Sequence, residues 1–155
     1  GQSFQITPLQ MLRAASAIIN GGNLVTHHFA VKSVSEADGT AVEFNYEIQS
    51  NAIEEKTSLM MKDILRQVVE EGGGKKAYLE GFSVGGKTAT SQKLPRGSGK
   101  YISSFIGFSP VDNAKVIAMC LIDEPQGIYY GGTIAAPVIR ELFENILPYL
   151  EIQNN

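Results

Sequence analysis

Residues 81–92 read GFSVGGKTATSQ, the only stretch of the chain in which glycines, a lysine and several small hydroxyl residues come together. From position 82 onward, apolar residues alternate with small or polar ones, which predicts a half-buried strand. Past the glycines, Lys87 and Ala89 should point to one face of that strand. Thr88 and Thr90 should then point to the other face. An ammonium group, hydroxyls and free backbone donors at a strand edge could hold a carboxylate beside a reacting carbonyl.

Length, composition and charge limit the class of protein. With 155 residues, 43% hydrophobic and 19% charged, the chain is one globular domain or part of a larger one. Its net charge of −3 gives no electrostatic basis for binding nucleic acid or an anionic membrane. The single cysteine, Cys120, lies in an apolar run and is expected to be a buried packing thiol. His27 and His28 lack further ligands at metal-binding spacing, so we expect neither a metal nor a cofactor.

Helix and hairpin signals alternate in the first half of the chain. Thr7–Gln10 carries a capping box with proline at the first helical position, and Asn20–Gly22 ends that helix. Ala37–Thr40 predicts a hairpin turn between two alternating segments. Asn51–Glu54 opens a second helix, which Gly72–Gly74 ends. We expect its apolar stripe to pack in the core; the stripe comprises Ile53, Thr57, Met60, Met61, Ile64, Leu65 and Val68.

The second half of the chain continues with strands and closes with a helix. Tyr101–Ser109 and Lys115–Ile122 read as strands, and the short turn between them permits only antiparallel pairing. Asp123 and Glu124 leave the second of these strands and are expected to be solvated. The last helix has a broad apolar stripe of Val138, Ile139, Leu142, Phe143, Ile146, Leu147 and Leu150. Antiparallel strands covered by amphipathic helices predict an α+β fold without internal repeats.

A competing motif overlaps the central strand. Gly81–Thr88 matches the phosphate-binding pattern G-x-x-x-x-G-K-[ST], and the apolar run Val116–Asp123 resembles the acidic motif of nucleotidases. A phosphate-binding loop, however, opens a helix whose N-terminus holds the phosphates. Here β-favouring residues follow, and Pro95 comes too soon for a useful helix. A P-loop nucleotide-binding protein is therefore the minor alternative.

Four stretches of the chain together resemble the penicillin-binding proteins, the serine D,D-transpeptidases of bacterial cell-wall synthesis. Gly86–Gln92 is similar to the Lys-Thr-Gly-Thr strand of that family. The other three follow in the family's order: Gly1–Gln2 with Ile6–Gln10 and Ala17–Gly22, then Val68–Ala77, then Tyr129–Gly132 with Ala135–Val138. The resemblance covers nearly the whole chain and implies the β-lactamase/transpeptidase-like fold, an antiparallel sheet covered by helices.

The two other motifs of that family, S-x-x-K and S-x-N, do not occur in this sequence. No serine among the 155 residues has a lysine three positions later or an asparagine two positions later. The resemblance therefore implies that residues 1–155 are the C-terminal part of a transpeptidase domain, with the serine nucleophile upstream of Gly1. We expect this chain alone to be inactive, and its uncovered face to bind the upstream half or a second copy.

The resemblance also implies roles for the residues of the lysine strand. Lys87 would supply positive potential near the substrate carboxylate, which Thr88 and Thr90 would bind through charge-assisted hydrogen bonds. The backbone N–H of Thr90 would form half of the oxyanion hole while a serine takes the acyl group of a D-Ala-D-Ala stem peptide. Ala89 lines the same substrate site but replaces the glycine of the family pattern, which adds a methyl group and removes backbone freedom.

Ligands, location and partners follow from the same resemblance. It implies peptidoglycan stem peptides and β-lactams as ligands, and action at the extracytoplasmic face of the bacterial cell membrane, with an anchor upstream. The ending Ile146–Ile152 favours the division and sporulation members, the stage V type among them, so wall-synthesis proteins of those processes are expected partners. Two alternatives keep the fold: a catalytically silent cell-wall scaffold, and a serine β-lactamase-like hydrolase with the same third motif.

Overall fold

Helices and antiparallel strands alternate along the chain in the computed structural model, which describes residues 5–152. In order the elements are α1 Pro8–Ile19, β1 Leu24–Val25, β2 Lys32–Val34, β3 Ala41–Glu43, β4 Ile48–Gln49, α2 Glu55–Glu70, a 3-10 turn Lys75–Ala77, β5 Gly85–Gln92, β6 Tyr101–Ser109, β7 Val116–Asp123, α3 Gly131–Ile134 and α4 Ala136–Tyr149. The α+β fold predicted from the sequence is confirmed. Gly1 and Gln2, which contributed to the resemblance, lie outside the described residues.

The central sheet is antiparallel with the strand order β5-β6-β7. Because β5 comes first in this order, it forms one edge of the sheet, with β6 as its neighbour. In this pair Lys87 lies opposite Ile106, and Thr90 lies opposite Ser103. The short turn between β6 and β7 produced the antiparallel pairing that was expected. The predicted start of the central strand was wrong, because the strand begins at Gly85, after a turn in which Phe82 N–H donates to Leu79 O. The left-handed φ of Gly81, +81°, directs the chain into that turn.

Helix α4 covers one face of the sheet. Its residues Ile139, Phe143 and Leu147 recur at a spacing of four and are buried against Phe105 of β6 and Val69 of α2. The other residues of the apolar stripe predicted for this helix differ in burial. Ile146 packs against this core, whereas Val138, Leu142 and Leu150 are exposed. Helix α4 therefore faces the core through the side that carries Ile139, Phe143, Ile146 and Leu147.

Helices α1 and α2 begin differently. The capping box of α1 is confirmed, since Thr7 Oγ1 accepts from Gln10 N–H and the Gln10 side chain accepts from Thr7 N–H. The predicted opening of α2 at Asn51 was wrong: Asn51 has a left-handed φ of +59°, and the N-cap is Glu54, without a side-chain cap. Helix α2 instead gains its register from tertiary contacts.

Ser58 and Val69 are the buried residues of α2. The Ser58 hydroxyl donates to Ile18 O at 2.7 Å and accepts from Gly21 N–H at 3.1 Å, which joins α2 to the end of α1. The expected core packing of Met60 was wrong, because Met60 is 59% exposed, and Ile64 is exposed beside it. No element among residues 5–152 covers that part of the predicted stripe, because α2 contacts the fold through its Ser58 and Val69 side.

Candidate functional site

Two adjacent glycines set the position of the lysine strand. A Cβ atom on Gly85 would lie 2.3 Å from Phe108 Cζ, and one on Gly86 would lie 2.5 Å from Phe105 Cζ. Both phenylalanines are almost completely buried, so neither ring has room to move away. The close approach of β5 to β6 at this point therefore depends on glycine, and it fixes where the following residues emerge.

The candidate site residues follow these glycines along the edge strand. Lys87 and Ala89 are exposed, whereas Thr88 and Thr90 are half-buried, which matches the alternation expected of a strand. The flexible stem of Lys87 brings its ammonium group back to the next residue, where Nζ donates to Thr88 O at 2.9 Å and to Thr88 Oγ1 at 3.3 Å. Because β6 is the only strand that pairs with β5 within residues 5–152, alternate backbone N–H groups of β5 point away from the sheet.

Thr90 is held by the segment that enters α3. Gly131 N–H donates to Thr90 Oγ1 at 3.0 Å. A Cβ atom on Gly131 would lie 2.3 Å from both Ala89 O and Ser104 O, so only glycine fits here. The family resemblance includes this Tyr-Tyr-Gly-Gly segment, but its contact with Thr90 was not predicted, because residues 90 and 131 are far apart in the chain.

Beside the edge strand lies a cleft of about 370 Å³. Its polar lining consists of Lys75, Lys76, Thr88, Thr90, Tyr130 and Thr133, and it contains no acidic side chain. A larger groove of about 630 Å³ lies between α2 and residues 78–83, but it contains none of the predicted site residues. The smaller cleft is therefore the one in which the two threonine hydroxyls of β5 can meet a ligand.

An ion cluster ties the far end of β5 to β7. Lys93 Nζ lies 2.9 Å from Asp123 Oδ1 and 2.8 Å from Glu124 Oε1, and Lys100 Nζ lies 3.0 Å from Glu124 Oε2. The hydrogen bond from Lys93, and after it that from Lys100, lowers the pKa of the Glu124 carboxyl. Asp123 and Glu124 were expected to be solvated, and their ion pairs with Lys93 and Lys100 were not predicted, because these residues are far apart in the chain.

Cys120, His27 and His28 do not contribute to the candidate site. Cys120 is half-buried rather than fully buried, and burial raises the pKa of its thiol. His28 stacks on Tyr46 with ring centroids 3.8 Å apart, and both histidines are exposed. Within residues 5–152, no three His, Cys, Asp or Glu side chains group as a metal site would require.

The phosphate-binding alternative does not fit this geometry. Lys87 and Thr88, which would contact the phosphates, lie inside strand β5 and not at the start of a helix. The sheet is antiparallel throughout β5, β6 and β7, whereas that motif belongs to parallel sheets. The nucleotide-binding interpretation is therefore not supported.

Comparison with protein families identifies the family of the chain. The family model described as the penicillin binding protein transpeptidase domain matches residues 1–144. The chain belongs to the penicillin-binding protein transpeptidase family. The Lys-Thr-x-Thr strand and the Tyr-Tyr-Gly-Gly segment both lie within the matched residues.

Curated penicillin-binding transpeptidases match the chain almost from end to end. Stage V sporulation protein D of Bacillus subtilis is 37% identical over 158 residues, which cover 99% of this chain and 24% of that protein. The probable peptidoglycan D,D-transpeptidase PenA of Neisseria flavescens is 32% identical over 157 residues, covering 98% of this chain and 36% of that protein. The chain therefore spans about a quarter to a third of the length of these relatives.

Solved transpeptidase structures share the fold. The apo form of penicillin binding protein 3 from Mycobacterium tuberculosis superposes with a TM-score of 0.86 at 26% identity, covering 100% of this chain and 38% of that one. The apo transpeptidase domain of penicillin-binding protein 3 from Burkholderia pseudomallei gives a TM-score of 0.76 at 26% identity, covering 97% of this chain and 44% of that one. The resemblance inferred from the sequence is confirmed at the level of family and fold.

Proposed function

We propose that the protein is a peptidoglycan D,D-transpeptidase, which cross-links cell-wall stem peptides through a serine acyl-enzyme. The observation that carries this proposal is the edge strand β5, where Thr88 and Thr90 border a cleft without acidic side chains and the Lys87 ammonium group lies 3.3 Å from Thr88 Oγ1. A D-Ala-D-Ala peptide bears a carboxylate one residue beyond the bond that breaks. A cleft with two hydroxyls and nearby ammonium groups suits that carboxylate.

Each residue of the strand has its own task in this proposal. Lys87 provides positive potential, and the hydroxyls of Thr88 and Thr90 bind the carboxylate. The backbone N–H of Thr90 donates to the oxyanion formed when the serine attacks the peptide carbonyl; losing such a donor typically lowers the rate by about 10²–10³. The terminal D-alanine leaves with a proton, and an amine of a neighbouring stem peptide then takes the acyl group and regenerates the serine.

The nucleophile itself is proposed to lie outside residues 1–155. No serine here stands three positions before a lysine, which is the arrangement that activates the nucleophile in this family. Residues 1–155 would then form the C-terminal part of the transpeptidase domain, and the active site would be completed by its other part. β-Lactams would acylate the same serine.

Location and partners belong to the proposal as well. We place the enzyme at the extracytoplasmic face of the bacterial cell membrane, acting with wall-synthesis proteins of division or sporulation, since the curated relatives are named for sporulation and peptidoglycan transpeptidation. Among the helices of residues 5–152, none has the length and apolar character needed to cross a membrane.

Acylation by a β-lactam tests the proposal directly. The complete protein and the 155-residue chain are each incubated with benzylpenicillin, and the intact masses are measured, followed by peptide mapping. We expect one adduct on the complete protein, at a serine outside residues 1–155, and none on the shorter chain. An adduct within residues 1–155 would show that the nucleophile lies in this chain and would contradict the proposal.

The same experiment separates the enzyme from a silent scaffold. If the complete protein forms no adduct and releases no D-alanine from a D-Ala-D-Ala peptide, the scaffold interpretation replaces the transpeptidase. Rapid turnover of the adduct by water, without transfer to an amine, would instead identify a hydrolase of the β-lactamase type. Slow hydrolysis with transfer to an added amine supports the transpeptidase.

A further inference from the structure

The cleft beside β5 contains more positive charge than a single carboxylate requires. Lys75 and Lys76 form one wall, while Thr88 and Thr90 of β5 form another. Neither lysine takes part in an ion pair among residues 5–152, although Lys93 and Lys100 both do. The lining therefore contains two lysines and no acidic side chain, a charge distribution that attracts anions.

The two lysines project from a rigid base. Within the 3-10 turn, Ala77 N–H donates to Gly74 O at 2.8 Å and Tyr78 N–H donates to Lys75 O at 3.1 Å. Ala77 is completely buried, which anchors the turn beneath the lysines. Their side chains are exposed, while the backbone that carries them is held by these hydrogen bonds and by the buried Ala77.

The opposite wall is locked to the same turn. A Cβ atom on Gly132 would lie 2.3 Å from Gly73 O and 3.0 Å from Thr88 Cγ2, so the start of α3 touches both the loop before the lysines and the edge strand. The lysines and the threonines are therefore held in a fixed relation across one cleft. A volume of about 370 Å³ has room for more than one carboxylate.

We infer that Lys75 and Lys76 form a second anionic subsite, which selects acyl-donor peptides carrying a side-chain carboxylate in addition to the terminal one. This inference rests on the proposed function, since it takes the terminal carboxylate to be bound by Thr88 and Thr90. The terminal carboxylate positions the bond to be broken. The side-chain carboxylate accepts charge-assisted hydrogen bonds from the two ammonium groups and determines which peptide is used.

Paired substrates and charge-matched variants test this subsite. The complete enzyme is given two peptides that differ in one residue, with either glutamate or glutamine immediately before a C-terminal D-Ala-D-Ala. KM and kcat are measured for D-alanine release. We compare the double variant Lys75→Met/Lys76→Met, which keeps the apolar stems, with Lys56→Met/Lys115→Met, which removes the same charge from exposed lysines outside the cleft.

For the glutamate peptide we expect Lys75→Met/Lys76→Met to raise KM about fivefold, because two exposed charge contacts are lost, and to leave kcat nearly unchanged. For the glutamine peptide KM should stay near that of the unmodified enzyme, and Lys75→Arg/Lys76→Arg should restore selectivity. Added salt should reduce the preference for glutamate. The control pair should alter neither peptide selectively.

Other outcomes overturn the inference without touching the proposed function. An equal rise in KM for both peptides would mean that the lysines bind the terminal carboxylate, which both peptides share. A fall in kcat alone would mean that the lysines have a structural role. If the double variant does not fold, the unmodified enzyme still tests the inference. A lack of preference for the glutamate peptide, or a preference that does not change with salt, would contradict the inference. Failure of the unmodified enzyme to release D-alanine from either peptide would instead contradict the proposed function.

Discussion

The hydrogen bond from Gly131 N–H to Thr90 Oγ1 leaves the threonine hydroxyl able to act as a donor. Because the oxygen already accepts a backbone hydrogen bond at 3.0 Å, its own hydrogen is free to be donated into the cleft. A hydroxyl prepared in this way is a suitable donor to a carboxylate. The residue thus links the strand that carries the site with the segment that enters the last helix.

We therefore expect Thr90→Val to slow acylation of the complete protein by benzylpenicillin about 10- to 100-fold, the range for a lost hydrogen bond to a charged group. Thr90→Ser keeps the hydroxyl and should remain near the unmodified rate. The second-order acylation constant measures both. Equal rates for the valine and serine variants would exclude a hydrogen-bonding role for this side chain.

Gly131 provides a second prediction for a single residue. Its replacement by alanine would put a methyl group 2.3 Å from Ala89 O and Ser104 O, which must move apart. We expect Gly131→Ala to lower the free energy of unfolding by about 1–3 kcal/mol and to slow acylation, since Thr90 loses its partner. In Gly73→Ala the added Cβ meets nothing within 4 Å, so denaturant unfolding of that variant should match the unmodified protein.

At the scale of elements, β5 is secured at both ends. Gly85 and Gly86 bring its start against buried phenylalanines, and Lys93 ties its far end to Asp123 and Glu124 at the end of β7. An edge strand has hydrogen-bonded support along one side, so such attachments at its ends limit fraying. The candidate site residues Lys87, Thr88 and Thr90 lie between these two attachments.

The ion cluster predicts a specific pH dependence. Its hydrogen bonds lower the pKa of Glu124 and raise that of Lys93, in each case chiefly through the bond between the two. A lowered carboxyl pKa means that the cluster stabilises the fold above the ordinary Glu pKa and loses this effect as pH falls through the folded-state value. A raised Lys pKa means that the effect is lost again only at strongly alkaline pH.

Lys93→Met should therefore lower Tm at pH 7, and the difference from the unmodified protein should shrink as the pH falls below about 4. Thermal unfolding followed by circular dichroism across that range measures the change. Lys115→Met removes an equal charge from an exposed position outside the cluster and should show no comparable trend. A difference that does not vary with pH would mean that Lys93 acts through packing alone.

For the molecule as a whole, several apolar side chains remain uncovered. Phe29 is fully exposed, and Leu59, Met60 and Ile64 are exposed along one side of α2. Exposed apolar surface of this kind usually contacts another protein surface. The expected association with the rest of the domain, or with a second copy, thus stays a prediction, and these side chains are where it would occur.

Sedimentation velocity tests that expectation. The 155-residue chain should associate as its concentration rises, and Met60→Lys/Ile64→Lys should weaken the association because it places charge on the exposed patch. The complete protein should associate less, since its own residues would cover this surface. A monomer at all concentrations, in both the unmodified and the variant chain, would contradict the prediction.

Short sequence patterns predicted the features that depend on interactions between neighbouring residues. The capping box at Thr7, the hairpin turn at Ala37–Thr40 and the antiparallel pairing of β6 with β7 depend on neighbouring residues, and each was predicted. The start of α2 was not, because Asn51 is held in a turn and the helix register depends on Ser58 reaching Ile18, 40 positions away. Long-range contacts of this kind leave no pattern within a short window of sequence.

The order of residues in the chain determined the class of fold, the family and the lysine strand, because alternation, capping and motif spacing all act over a few residues. The tertiary structure alone decided that Thr90 meets Gly131, that Lys93 meets Glu124, and that two lysines face the threonine cleft. These contacts join segments separated by 12 to 41 positions. They form because packing of buried side chains, and not local preference, sets where distant backbone segments meet.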